Sequence, residues 1–539
     1  MKRSRIGIGA IALFSVAALG LAGCSSDSGT ESTDSASSTA IVSTNGNEPQ
    51  APLVTTGTTE VGGGKILTSI YAGLVSYQAD GSIVNEVADS IESDDATTWT
   101  VKLKDGWTFT NGEAVTSKSF IDAWNYGAKF SNAQGSSYFF DNIVGFSYDE
   151  DTELTGLKAV DDTTFTVELS SPEADWPLRL GYTAYMPLPS VAYEDIEAFG
   201  ENPIGNGPYM LAEEGAWNHD VEINLITNPD YDGVRKPVNG GLDIRFYTSQ
   251  DAAYADVQAG NLDVLDAVPD TQFENYEAEF GDRAVNQPAA IFQAFNIPYY
   301  LEHWTGEEGK LRRAAISMSI DRGEITDVIF QGTRTPATDF TSPVIDGYSD
   351  SLEGAEVLEF NPDEAKKLWA EADAIAPYGD TVFTLAYNAD GGHQAWVDAV
   401  TNSIKNTLGI NAEGKSYPDF KSALDDRVNA KLTGATRAGW QADYPSLYNF
   451  LAPLYQTGAG SNYEGYSSEE FDSLLKEGSK SATVEDATAK YQEAQEVLLK
   501  DLPTIPLWYS NVTGVSGDTV DNVEFGWDSV PLYYAVTKG

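Results

Sequence analysis

The sequence predicts an α/β fold assembled from segments that are not contiguous in the chain. Strand-like and helix-like patterns alternate without a regular repeat along the 539 residues, which is the order expected of mixed α/β domains. A hydrophobic fraction of 41% and an aromatic fraction of 11% are typical of a globular protein. A chain of this length has room for about two or three domains.

Local patterns predict several individual elements. The segments 98–103 and 164–169 alternate between apolar and polar residues, as half-buried strands do. We expect Ser117 to cap a first helix, and Pro503 and Pro506 to follow the last one. Apolar residues at helical spacing predict helices over 117–129, 311–330, 363–374 and 485–499.

The N-terminal segment has the three parts of a secretory signal. Lys2, Arg3 and Arg5 form a basic start. The apolar stretch 6–19 that follows is shorter than the roughly 20 residues that a membrane-spanning helix needs. Small residues then lead to Cys24, which is the only cysteine in the chain.

The segment 21–24, Leu-Ala-Gly-Cys, resembles a bacterial lipobox. In that motif the chain is cut before the cysteine and the thiol is acylated. The resemblance implies that 1–23 is a removed signal peptide and that Cys24 carries a palmitate-type lipid. Residues 24–40 are then a flexible stalk, because they offer little apolar surface to bury. The lipid would hold the protein on the membrane, facing outside the cytoplasm; the alternative is that Cys24 is an ordinary buried cysteine.

The charge of the chain restricts its partners. The formal net charge is −50, which argues against nucleic acid and against docking on anionic lipid. The same charge fits a solvated acidic surface, with a modest bias toward cationic ligands. Salt limits that bias, since charges are screened over roughly 8 Å.

No motif in the sequence indicates catalysis or a cofactor. The segment 62–65 looks like part of a phosphate loop, but Ile66 stands where Ser or Thr should bind magnesium. The segment 228–233 begins like a calcium loop, but Asn239 stands where a bidentate Glu is needed, so we expect a turn. The three histidines do not have the spacing of zinc ligands: His219, His303 and His393. A surface hydrolase is therefore the less favoured alternative.

Four blocks of sequence, in order along the chain, resemble one protein family. Conspicuous among them are PIGNGPY at 203–209 and RAGWQADY at 437–444. The full set comprises 70–75 with 80–81, 87–91, 99–103 and 107–116; 203–209 with 228–231; 311–316 with 320–322; and 437–444 with 462 and 471–472. They resemble the extracytoplasmic solute-binding proteins of peptide-type ABC importers, the oligopeptide- and dipeptide-binding family 5. The segment 103–106 departs from the family pattern, because it lacks the usual Arg.

The resemblance implies a periplasmic-binding-protein-like fold of two α/β lobes, joined by a hinge, with an extra domain on lobe one. The hinge would lie near residues 288 and 507. A peptide would bind between the lobes, and the closed form would dock on a membrane permease. The implied protein is a monomer without cofactor, metal or catalytic step. The implied boundaries are 41–72, 200–288 and 508–539 for lobe one, 73–199 for the extra domain, and 289–507 for lobe two.

The resemblance assigns several peptide contacts of the family to residues 439–443 of this chain. Asp443 matches the carboxylate that meets the α-ammonium of the peptide. Gly439 and Gln441 match residues whose main chain pairs with the peptide as an added strand. Trp440 is either a wall of the cleft or part of the core.

Further contacts would come from elsewhere in the chain. The resemblance places basic residues near the carboxyl end of the peptide, an aromatic residue in a side-chain pocket, and a loop of the opposite lobe against the ligand. These are Arg427, Arg437 and His393; Phe420; and Glu60 and Val61, with Tyr138 and Tyr509 as additional contacts. Other ligands of the same fold, namely oligosaccharides, metal complexes or haem, remain open alternatives to a peptide.

Overall fold

The computed structural model describes residues 39–389, 392–418 and 420–539. The predicted signal peptide, Cys24 and nearly all of the predicted stalk lie outside this part of the chain. Within it, no helix combines the length and the apolar character needed to cross a membrane.

Strands and helices alternate through the described chain, which confirms the α/β class. The strands are β1 (Ile41–Gly46), β2 (Val75–Tyr77), β3 (Ile83–Asn85), β4 (Ala88–Glu92), β5 (Thr98–Leu103), β6 (Leu157–Asp161), β7 (Thr164–Glu168), β8 (Tyr209–Leu211), β9 (Trp217–Asn218), β10 (Glu222–Thr227), β11 (Gly241–Phe246), β12 (Val264–Leu265), β13 (Ala284–Asn296), β14 (Arg334–Pro336), β15 (Phe383–Asn388), β16 (Ala412–Tyr417), β17 (Ala435–Gln441), β18 (Thr504–Ser516), β19 (Val520–Asp521) and β20 (Thr537–Lys538).

The α-helices have the following bounds: α1 (Val61–Ile70), α2 (Ser117–Ala128), α3 (Ile196–Glu201), α4 (Gln250–Gln258), α5 (Tyr276–Phe280), α6 (Gly306–Met318), α7 (Arg322–Val328), α8 (Pro362–Ile375), α9 (Gln394–Leu408), α10 (Phe420–Val428), α11 (Leu447–Tyr455), α12 (Glu469–Ser479) and α13 (Val484–Asp501).

One twelve-stranded sheet runs through the molecule. Its strand order is β16-β15-β17-β13-β18-β12-β1-β11-β10-β8, with β14 attached to β18 and β9 attached to β10. Strand β1 is parallel to both of its neighbours, whereas β13 and β18 are antiparallel to each other. A separate four-stranded antiparallel sheet, β4-β5-β7-β6, lies within residues 88–168.

The two strands β13 and β18 pair along most of their lengths, apart from residues 289–291 of β13, and their register shifts twice. Each has 13 residues, and the pairing extends from Ala284 opposite Val515 to Asn296 opposite Thr504. One shift follows Pro288, and the other lies where Ala294 pairs with Pro506. Proline has no N–H to donate to a ladder, so both irregularities have a local cause.

Two large hydrophobic cores meet along this ladder. On β13 the boundary falls between adjacent residues, because Ala289 belongs to the first core and Ala290 to the second. On β18 it falls between Tyr509, in the second core, and Val512, in the first. The fold therefore has two lobes that share a pair of continuous strands.

Each lobe also buries residues in the core of the other. Tyr444, which follows β17, packs in the first core, while Trp527 and Ala174 pack in the second. The guanidinium of Arg179 lies 4.8 Å from the ring centroid of Tyr444. The backbone N–H of Ala174 donates to Ser479 O at 3.1 Å. The lobes are thus in contact on the side of the extra sheet as well as through the ladder.

The predicted strands at 98–103 and 164–169 are confirmed as β5 and β7, and three predicted helices as α2, α8 and α13. The continuous helix predicted over 311–330 is wrong. It breaks between α6 and α7, because Asp321 caps a new helix by accepting a hydrogen bond from Glu324 N–H at 3.0 Å. The N-cap of α2 is Thr116 instead of Ser117.

Three arginines in this region are buried, namely Arg312, Arg313 and Arg322, so the helices here are more than ordinary amphipathic ones. The last two bind main-chain carbonyls near the ladder. Arg313 donates to Ile297 O at 2.7 Å, directly after β13. Arg322 donates to Leu358 O at 2.6 Å and to Pro506 O, on β18, at 2.8 Å. Burial lowers the pKa of Arg322 to about 9. These side chains satisfy backbone carbonyls at one end of the ladder, where unpaired carbonyls would be costly.

Candidate functional site

Strand β17 has one paired edge and one edge that is largely open. It pairs with β13 from Thr436 to Gln441, but β15 pairs only with Ala435 and Thr436 on the other side. Ala442 N–H donates to Ala290 O, toward β13. Because main-chain groups alternate in direction along a strand, those of Gly439 and Gln441 face the open edge, where no described strand pairs with them.

A cavity of about 230 Å³ lies at the end of this edge, and we call it cavity A. Its walls come from both cores: the end of β17, the start of helix α1, and the segment after β18. The residues used below are Glu60, Val61, Lys65, Tyr77, Tyr182, Gln441, Asp443, Trp527 and Asp528.

Asp443 is held in cavity A by Asn449 of α11. Asn449 Oδ1 accepts from Asp443 N–H at 2.9 Å, and its Nδ2 donates to Asp443 Oδ2 at 3.1 Å. The same Asn449 Oδ1 accepts from Trp440 Nε1 at 3.0 Å. Burial raises the pKa of Asp443 to about 6, against the lowering effects of the Asn449 bond and of Arg179. A nearby cation would favour its charged form.

Glu60 and Val61 line cavity A together with Asp443. Glu60 caps α1, with its Oε1 accepting from Gly63 N–H and from Gln50 N–H, both at 3.1 Å. Val61 begins the helix and is 50% exposed. The two residues predicted to lie in a loop therefore stand at a fixed helix start.

A second cavity, of about 210 Å³, lies on the other side of Gln441 along β17, and we call it cavity B. Gly439, Trp440, Phe420 and Arg427 line it, as do Tyr455 and Tyr463. The structure thus divides these predicted contacts between two cavities that share strand β17.

The predicted basic residues already have protein partners. Arg427 Nη2 donates to Glu464 Oε2 at 3.1 Å, so this pair is neutral as a whole. Arg437 donates from Nε to Asn388 Oδ1 at 2.7 Å, and its guanidinium lies 4.9 Å from the ring centroid of Phe420. A ligand carboxylate at Arg427 would have to compete with Glu464, a residue that the sequence pattern did not indicate.

Four predicted contact residues line neither cavity: Arg437, His393, Tyr509 and Tyr138. His393 precedes α9 and accepts at Nδ1 from Trp396 Nε1 at 3.1 Å. Tyr509 is fully buried and donates to Asp339 Oδ1 at 2.8 Å, which places it in the second core. Tyr138 is 44% exposed, and its ring centroid lies 4.5 Å from that of Phe139.

Sequence reasoning missed several residues of cavity A. Lys65 belonged to a rejected phosphate-loop pattern, and it lies in α1. Tyr77, Trp527 and Asp528 carried no motif. Only the long-range packing brings them beside Asp443.

Comparisons with known proteins agree with this architecture. The profile of bacterial extracellular solute-binding proteins, family 5 middle region, matches residues 82–462. The periplasmic oligopeptide-binding protein OppA of Escherichia coli K12 is 29% identical over 493 residues, covering 87% of each chain. OppA of Bacillus subtilis 168 is 25% identical over 487 residues, covering 85% of this chain and 86% of its own. The unliganded open form of the murein tripeptide-binding protein MppA superposes with a TM-score of 0.79, at 21% identity, over 93% of this chain and 97% of its own.

Replacing the half-buried carboxylate of Asp443 should stabilise the ligand-free protein. Because the pKa of Asp443 is raised on folding, its proton favours the folded state at low pH, and that contribution is lost as the pH rises through about 6. Asp443→Asn should therefore raise the free energy of unfolding by up to about 3 kcal/mol at about pH 8 and change little near pH 4. Urea unfolding across this range measures it.

The matched control is the exposed Asp518→Asn, for which we expect no more than about 0.5 kcal/mol at any pH. An Asp443→Asn variant that is less stable than the wild type at about pH 8 would contradict the inference that burial of this carboxylate carries a cost.

Proposed function

Because the chain belongs to family 5 of the bacterial extracellular solute-binding proteins, we propose that it captures peptides outside the cytoplasm and delivers them to the permease of an ABC importer. One observation carries the proposal: the open edge of β17 ends at a half-buried carboxylate, Asp443, that lines cavity A together with the start of helix α1. The names of the OppA relatives, which are oligopeptide-binding proteins, support the peptide as ligand.

The main chain of the peptide pairs with the open edge of β17. Gly439 and Gln441 offer their N–H and C=O groups there, so the peptide adds a strand to the sheet. Backbone pairing is indifferent to side chains, and cavities A and B on either side of Gln441 leave room for them. This arrangement suits a receptor for peptides of varied sequence.

The α-ammonium of the peptide pairs with Asp443. A charge taken out of water needs a partner of opposite sign, and Asp443 is half-buried with one oxygen bound to Asn449. The peptide then runs antiparallel to β17, with its carboxyl end toward Arg437 and Phe420. At that end Arg427 and Arg437 both have protein partners, so a ligand carboxylate would compete with those contacts.

Lobe closure on the peptide provides the signal to the permease. A ligand that contacts both lobes stabilises the closed state, and no catalytic step is needed. We propose lobe one as 41–72, 200–288 and 508–539, lobe two as 289–507, and 73–199 as an extra domain on lobe one. The change of core at Ala289–Ala290 supports a hinge near residue 288.

A lipid on Cys24 tethers the receptor to the outer face of the membrane. The proposal rests on the lipobox pattern before Cys24, since this part of the chain lies outside the described residues. Cys24→Ala should abolish incorporation of labelled palmitate and move the protein from the membrane fraction to the soluble fraction, or leave it as an uncut precursor. A wild-type protein that stays with the membrane without incorporating label would contradict a lipid tether.

The ammonium contact can be tested by a double-mutant cycle. Removing one partner of a buried charge pair costs about 2–5 kcal/mol of binding. Asp443→Asn should therefore lower peptide affinity by roughly one to three orders of magnitude. N-acetylation of the peptide should cause a similar loss in the wild type and little further loss in the variant, because both changes break the same pair.

Calorimetry on the four combinations of protein and peptide decides the matter, with Asp518→Asn as the control that retains full affinity. Additive losses would show that Asp443 does not contact the amine. No binding of any peptide would favour a different ligand of the same fold.

A further inference from the structure

Cavity A carries more negative charge than one ammonium group requires. Three carboxylates line it: Asp443, Glu60 and Asp528. Lys65 is the one basic residue among those that line it, and its Nζ is paired with Asp266. The side chains of this pair are only 9% and 6% exposed, respectively. With the α-ammonium on Asp443, the cavity still has an unmatched negative charge.

Of the remaining carboxylates, Glu60 already accepts two backbone hydrogen bonds as the cap of α1, whereas Asp528 accepts one. Its Oδ1 accepts from Val530 N–H at 3.1 Å, which fixes the side chain. Burial raises the pKa of Asp528 to about 6, and Lys65 is the basic residue whose charge opposes that rise. The carboxylate is thus ionised at neutral pH but poorly solvated, which is a state that a ligand cation would stabilise.

Three aromatic residues also line cavity A, alongside small and polar ones. Tyr77 and Trp527 meet edge to face with ring centroids 5.3 Å apart, and Tyr182 lines the same space. Tyr77 is anchored by its hydroxyl, which donates to Leu178 O at 2.7 Å. Aromatic faces attract cations, and the attraction is stronger where water is excluded. The carboxylates and the aromatic rings of cavity A therefore both favour a cationic group.

Cavity A is large enough to hold only part of a ligand. Its volume of about 230 Å³ is below the roughly 300–1,000 Å³ of pockets that hold a whole small molecule. A peptide whose ammonium sits on Asp443 carries its first side chain at the same end. That side chain is the group that cavity A can enclose.

We propose that cavity A selects peptides whose first residue has a cationic side chain, and that Asp528 is the specificity-determining carboxylate. The inference rests on the proposed function, since it takes the peptide ammonium to be on Asp443. An acidic first residue would meet three carboxylates and a lysine that is already paired. An apolar one would take water from the half-buried Asp528 without supplying a cation, which is costly.

The test uses the wild-type protein and four tripeptides that differ only in the first residue: lysine, norleucine, Nε-acetyl-lysine and glutamate. By calorimetry, lysine should bind roughly tenfold to a hundredfold more tightly than norleucine or acetyl-lysine, and glutamate most weakly. Equal affinities for lysine and acetyl-lysine, or preference for glutamate, would overturn the inference. These comparisons need no variant and so do not depend on the folding of one.

Asp528→Asn assigns the preference to one residue. The amide oxygen of Asn can still accept from Val530 N–H, so the local turn is kept. The lysine-to-norleucine ratio should fall to within about threefold of one, whereas the control Asp518→Asn should keep the wild-type ratio. A full lysine preference in Asp528→Asn would overturn the role of this carboxylate.

Failure of the inference can be told apart from failure of the proposed function. If none of the four tripeptides binds to the wild type, the peptide function itself fails. If all four bind equally well, only the selectivity of cavity A fails. Asp443→Asn should weaken all four while preserving their order, because it acts on the ammonium that they share.

Discussion

The antiparallel ladder between β13 and β18 is the interaction on which both lobes depend. It extends from Ala284–Val515 to Asn296–Thr504, with an interruption at residues 289–291, and the cores of the two lobes pack against successive parts of it. Arg313 and Arg322 donate to carbonyls at one end of it, so the second lobe is fixed to the ladder by buried hydrogen bonds. The register shifts near Pro288 and Pro506 are the places where this ladder is least regular.

The position of the open edge of β17, where we propose that the peptide binds, is set by the ladder. Strand β17 pairs directly with β13, just past the point where the core changes from the first to the second. The two acidic residues proposed to contact the ligand are each followed or preceded by an aromatic residue that packs in the core of the other lobe. Tyr444, next to Asp443, packs in the first core, and Trp527, next to Asp528, packs in the second. Movement of one lobe relative to the other would therefore change the distance between these carboxylates. The same packing thus links binding of the peptide to closure of the lobes.

Sequence patterns identify individual strands and helices, which depend on residues near one another in the chain. The alternation in β5 and the helical period of α13 were sufficient, because each element presents one regular face to a core. The break between α6 and α7 was missed since the apolar period continues across it and only the cap at Asp321 shows the new start. The pairing of Arg427 with Glu464, and the meeting of Asp528 with Asp443 in one cavity, arise from tertiary packing that no local pattern contains.

The most direct test of the central claim is the identity of the natural ligand. Native mass spectrometry of the protein, purified without unfolding, gives the mass of what it holds, and fragmentation of the released molecule gives its structure. Capture of peptides between the lobes predicts one intact peptide per protein chain, with a free α-amino group. A bound molecule without peptide bonds, such as an oligosaccharide or haem, would contradict it.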